Sequence, residues 1–287
     1  MPRYTLAHSP DADDIFMFYA IAFGWIDCGD IAIEHTAADI ETLNEAALIG
    51  KYDATAISFA LYPHIWREQA LLSSAASFGR GYGPKLIRRK DKPLKRNFKV
   101  ALSGARTTNA MLFRLAYPQA RTIYKNFLEI ENAVLSGETD AGVLIHESIL
   151  DFNEALVVEA EIWDIWRELA KADLPLPLGG MCLRRSLPLN RAIEMERILT
   201  KAVRVAVDHK AALGRALLDR ALVRVDQVKL DKYLSLYANE DSAGFSDQCM
   251  RGIEALFKLG YDRGEYREYV ALEKALIPVE YAVLRGS

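Results

Sequence analysis

The feature that most restricts this chain is an alternation. Between residues 3 and 186, short apolar runs rich in β-branched residues trade places with stretches of helical periodicity. Residues 3–8, 31–36, 54–59, 71–78, 85–89, 98–103, 120–124, 143–145, 156–159 and 181–184 read as strands. Residues 15–24, 39–50, 60–69, 110–116, 129–136 and 162–170 read as helices between them. Such a pattern predicts an α/β protein, and in open α/β sheets ligands bind beyond the carboxyl ends of the strands. Past residue 186 the alternation stops, and 190–213, 226–237, 246–259 and 265–276 read as helices.

Two stretches punctuate the pattern. The basic run over 85–99 contains Arg88, Arg89, Lys90, Lys92, Lys95 and Arg96, broken by Asp91 and Pro93. It reads as a solvated surface crossing between two domains. Leu174-Pro175-Leu176-Pro177-Leu178-Gly179-Gly180 bars a helix through its prolines and permits close backbone approach through its glycines. It reads as the crossing back. The expected division is therefore a larger discontinuous lobe, 1–88 with 178–287, and a smaller inserted lobe, 89–177. A cleft between them is the expected ligand site.

Composition narrows the function classes. A hydrophobic share of 51% over 287 residues supplies enough apolar mass for two lobes. A formal charge of −3 gives no general electrostatic case for nucleic acid. Cys28, Cys182 and Cys249 are odd in number and far apart, so no disulfide framework is expected. No apolar run approaches the about 18–20 residues of a membrane span, so no membrane insertion is expected. The start, Met1 to His8, lacks a basic segment followed by an apolar one, and a cytoplasmic location is expected. A homodimer stays open.

The chemistry-bearing residues sit at element ends. Asp140 to Ile145 reads as a short strand that stops on His146 and Glu147. A histidine there either satisfies a backbone group or reaches a ligand with a side chain that titrates near neutrality. Asp11, Asp13 and Asp14 precede a helix, where carboxylates cap and stay solvated; their spacing matches no calcium loop, and no metal is expected. Thr107 and Thr108 open another helix, either as ordinary caps or as an anion site for a ligand. The glycines of 79–83 match no phosphate-loop pattern.

Several of these pieces together resemble the 1,4-dihydroxy-6-naphthoate synthase family of the futalosine route to menaquinone. They are His8-Ser9-Pro10 with Asp14 and Phe16, the Thr107-Thr108 helix start, Gly142-Val143-Leu144-Ile145-His146-Glu147, and Leu174-Pro175-Leu176-Pro177-Leu178-Gly179-Gly180. The resemblance runs over most of 4–186 and fades in the C-terminal helices. It implies a two-lobed, periplasmic-binding-protein-like (type II) α/β fold with a central cleft. It implies a lyase that converts cyclic dehypoxanthine futalosine to 1,4-dihydroxy-6-naphthoate, with His146 as the general base. Ser58, Thr107 and Thr108 are then expected to face this small-molecule substrate, with Ser9 and Asp14 of the first loop beside them. No redox cofactor is expected, because aromatisation of the product drives the reaction. The first loop departs from the family's usual Ser-Pro-Cys-Pro-Asn-Asp-Thr, reading Ser9-Pro10-Asp11-Ala12-Asp13-Asp14-Ile15. Two other readings stand beside this one: a chorismate dehydratase of the same route, and a non-catalytic binding protein for small anions.

Overall fold

A computed structural model describes residues 2–277. In chain order, β1 (Arg3–His8), α1 (Ala12–Ala22), β2 (Ala32–Ala37), α2 (Ile40–Leu48) and β3 (Ala54–Ser58) open the fold. A 3-10 turn (Phe59–His64) leads to β4 (Gln69–Leu71) and β5 (Ser77–Gly79). Then come β6 (Lys85–Arg89), β7 (Lys99–Leu102), α3 (Thr108–Ala116), β8 (Arg121–Tyr124), α4 (Ile130–Leu135) and β9 (Ala141–Leu144). β10 (Leu156–Glu161), α5 (Ile162–Ala170) and β11 (Leu176–Arg184) follow. The described chain finishes with α6 (Leu189–Asp208), α7 (Lys210–Asp219), α8 (Gln227–Tyr237), α9 (Glu240–Ala243), α10 (Asp247–Asp262) and α11 (Leu272–Ala275).

The strands form two mixed sheets. The first has the order β2-β1-β3-β11-β4, with β5 also paired to β11. In it β1 runs parallel to β2 and β3, and β11 runs antiparallel to β3. The second has the order β10-β6-β9-β7-β8. There β7 is parallel to β8 and β9, while β6 is antiparallel to β9. β3 and β9 are buried along their whole length, which is why they carry only small and apolar residues up to Ser58. Gly142 of β9 has a packing reason: a Cβ there would lie 2.5 Å from Ile130 Cγ2 and 3.0 Å from Val134 Cγ2. One apolar core runs through both sheets, from Ile57 and Leu71 in the first to Val100 and Val143 in the second. A second core, with Leu6, Leu43 and Leu199, lies between the first sheet and α6.

Several elements differ from the sequence expectation. β6, placed in the larger lobe by the 1–88 segment, pairs with β9 and β10 in the second sheet. The first crossing is thus residues 80–84, and the basic run begins as a strand. The second crossing ends earlier than expected, because Leu176 already pairs with Gly79 as β11 begins. The helix expected over 60–69 is a 3-10 turn with Pro63 inside it. The helix expected over 190–213 is broken at His209, which caps the end of α6 and the start of α7. Over 265–276 only α11 is helical. Residues 278–287 of the expected larger lobe lie outside the described residues. Among the described residues no helix is long and apolar enough to cross a membrane.

Candidate active site

The ends of β1, β3 and β9 meet the start of α3, the middle of β11 and one face of α8 around a cavity of about 100 Å3. Ser9, Asp14, Ser58, Thr107, Thr108 and His146 all line it. These six residues therefore converge from positions up to 137 residues apart, and Leu178 to Gly180 of β11 join them. Asp11, Asp13, Ser77, Asn109, Tyr233 and Tyr237 complete much of the wall.

His146 begins a one-turn 3-10 segment directly after β9, with φ of 53°. This is the left-handed region, which side-chain-bearing residues rarely adopt. Its Nδ1 pairs with Asp11 Oδ2, and its ring meets Phe127 edge-on at 4.7 Å. Nε2 is buried and has no hydrogen-bond partner among the described residues. Burial pulls the imidazole's pKa down, but the Asp11 carboxylate and its hydrogen bond, with Glu147 and Asp14 beyond, bring it above the ordinary value.

The aspartate cluster is not the solvated cap that the sequence suggested. Asp11 and Asp13 are 4% and 3% exposed. Asp13 accepts from Ser77 Oγ at 2.6 Å and from Tyr233 Oη at 3.1 Å, and Asp14 accepts from the Ser9 N–H at 2.7 Å. Burial and the neighbouring charge of Asp11 push Asp14 up to about 8 and Asp13 well above the carboxylate range. Asp11 behaves oppositely: burial alone would raise it, but His146 holds it at about 2. Of the three, Asp11 is the carboxyl whose ionised form the site favours. Asp11, Asp13 and His146 do bring ligand-type atoms within 4.8 Å of one another. That grouping suits a cation poorly, because both Asp13 oxygens are already engaged by hydroxyls and burial beside Asp11 disfavours its ionised form.

Ser58 is fixed by a residue the sequence reading missed. Asn44, fully buried on α2, donates to Ser58 Oγ at 3.1 Å and accepts from the Ser58 N–H at 2.9 Å. Ser9 Oγ and Asn109 Oδ1 line the cavity with no partner among the described residues. The loop before α3 binds an anion, but an internal one. Glu41 accepts from the Ala105 N–H at 2.9 Å and the Arg106 N–H at 3.2 Å. Thr107 caps α3 by accepting from the Ala110 N–H. Thr108 Oγ1 donates to the Leu178 carbonyl at 2.9 Å and accepts from the Ala60 N–H at 3.2 Å. Both threonines line the cavity, yet the Thr107 hydroxyl is engaged in capping α3 and the Thr108 hydroxyl in tying α3 to Leu178 and Ala60. Tyr233 and Tyr237 were also missed. Their spacing of four on a helix was the available signal, since it puts two phenols on one face.

A two-sheet α/β frame with a cavity between its sheets defines a protein of the periplasmic-binding-protein fold. An alkanesulfonate-binding protein from Xanthomonas axonopodis, 10% identical, superposes with a TM-score of 0.67 over 96% of this chain and 97% of its own. At that identity it speaks for the fold alone. A protein of known structure from Archaeoglobus fulgidus is 31% identical, with a TM-score of 0.83 over 92% of this chain and 98% of its own. Residues 4–262 match the family model for menaquinone biosynthesis, and the chain belongs to that family. Relatives named 1,4-dihydroxy-6-naphthoate synthase come from Streptomyces coelicolor, 31% identical over 88% of this chain and 90% of its own, and Thermus thermophilus, 29% identical over 92% and 96%.

Proposed function

We propose that this protein is a lyase that converts cyclic dehypoxanthine futalosine to 1,4-dihydroxy-6-naphthoate, with His146 as the general base. The observation that carries the proposal is that His146 lines the cavity and that its Nε2 is buried with no hydrogen-bond partner among the described residues. A base that abstracts a proton beside a carbonyl needs a pKa near neutrality and a free lone pair within reach of the carbon. Ser9 Oγ offers a hydroxyl to the oxygens of the substrate, and Ser58 Oγ, held by Asn44, offers a second. The protonated Asp14 carboxyl can donate where an ionised one would repel developing negative charge. The apolar walls from Ile40, Ile145 and Leu178 keep water from the carbanion-like centre. The names of the Streptomyces and Thermus relatives support the same reaction.

The test is product formation by the purified protein. Incubation with cyclic dehypoxanthine futalosine is expected to release 1,4-dihydroxy-6-naphthoate. Release of 3-enolpyruvylbenzoate from chorismate, with no reaction of the cyclic substrate, would replace this reading with the dehydratase. Binding of small anions without turnover of either would leave a carrier.

A further inference from the structure

We infer that Asp11 is the positioning residue for His146: its carboxylate holds the Nδ1–H and thereby turns the Nε2 lone pair into the cavity. This rests on the reading of His146 as the base. Three observations carry it.

The first is what Asp11 does not do. It occupies the N-cap of α1, where an aspartate ordinarily accepts from an amide of the first turn, yet its side chain makes no capping bond. Oδ2 goes to His146 Nδ1 instead, and Oδ1 has no partner among the described residues. The second is how His146 is held. Its backbone takes the left-handed conformation, and its ring is braced by Asp11 at Nδ1 and by Phe127 across one edge. With Nδ1 donating, a neutral ring must carry its lone pair on Nε2.

The third is the arrangement of charge. Four carboxyl groups lie around the ring, and three are engaged elsewhere. Asp13 takes Ser77 and Tyr233, and Asp14 takes the Ser9 amide. Glu147 accepts from the Ala12 N–H at 2.9 Å and lies 3.7 Å from Arg224, whose guanidinium sits 5.2 Å over the Phe127 ring. Only Asp11 meets the imidazole directly. In the proposed step Nε2 takes the proton from the substrate carbon, the C–H electron pair stays with the substrate, and the imidazolium keeps its Nδ1–H against Asp11. The carboxylate accepts no proton; it stabilises the cation until Nε2 gives its proton up.

Asp11→Asn tests this. Its kcat is expected to fall by about a hundred- to ten-thousand-fold with KM nearly unchanged, the pattern of a base left in the wrong tautomer. The acid limb of the residual rate should move to lower pH, because the imidazolium loses its counter-charge. A merely structural aspartate would leave that limb in place. Nitrogen-15 spectra of histidine-labelled enzyme, with the His146 signals assigned by their loss in His146→Ala, provide a readout free of substrate. Wild type should show Nδ1 protonated and Nε2 bare in the neutral ring. A bare Nδ1 in that spectrum overturns the proposal, whether or not the variant folds. So does an Asp11→Asn enzyme with wild-type kcat and an unmoved limb. If wild type fails to turn over cyclic dehypoxanthine futalosine, the reading of function fails, while the spectra still decide the Asp11–His146 pair.

Discussion

Asp14 shows how burial changes the chemistry of a single residue. Its folded pKa of about 8 stands above the ordinary 3.8, so the folded state binds the proton more tightly than the unfolded one. Stability from this group is present below the unfolded value and is lost as pH rises from there towards 8. Asp14→Asn presents an uncharged group at every pH and can still accept from Ser9. Its melting temperature should exceed that of wild type at about pH 8 and converge with it near about pH 4, as thermal melts across that range will show. Equal melting temperatures at both ends would mean that Asp14 is ionised and solvated. The sequence could not reveal this. Asp11, Asp13 and Asp14 carry the local signature of a helix start, and the phenol that meets Asp13 is Tyr233 of α8, 220 residues away. His146 was more legible, because an apolar run stopping on a polar pair is a local pattern; its bond to Asp11 spans 135 residues and is not.

At the scale of elements, the strands could be read because their signal is short and sequential. β1, β3 and β9 lie where the apolar runs are. The errors have physical causes. The break at His209 has no proline or glycine to mark it; both helices touch α1, and α7 packs on α8 as well. The loop before α3 does form the anion site that its small residues predict, but the anion is Glu41, supplied by α2. Gly142 lets β9 pack closely against α4. Gly142→Ala forces a methyl against Ile130 and Val134, and should cost about 1–3 kcal/mol in urea denaturation. An unchanged midpoint would show that α4 can shift away without loss.

In this structure the two sheets stand close around the site: the cavity of about 100 Å3 is smaller than the roughly 300–1,000 Å3 of ordinary ligand pockets, so the fused-ring substrate proposed above requires the sheets to part. Residues 80–84 and 171–175 are the segments that pass between the sheets, and they are where such a hinge would turn. Thr108 ties the closed form together, since one hydroxyl bridges α3 to both Leu178 and Ala60. Thr108→Val removes both bonds and should enlarge the radius of gyration of the free protein in solution scattering; an unchanged radius would place the closing force elsewhere. The two-lobed plan was legible from the chain's two crossings. Their positions were not, because β6 shows itself as a strand of the second sheet only by pairing with β9 and β10.

If His146 performs the chemistry and the rest of the cavity holds the substrate, the most direct measurement is single-turnover kinetics of His146→Ala beside its affinity for cyclic dehypoxanthine futalosine. The rate is expected to fall by about a hundred-fold or more, with binding kept within a few-fold. Turnover at the wild-type rate would contradict it.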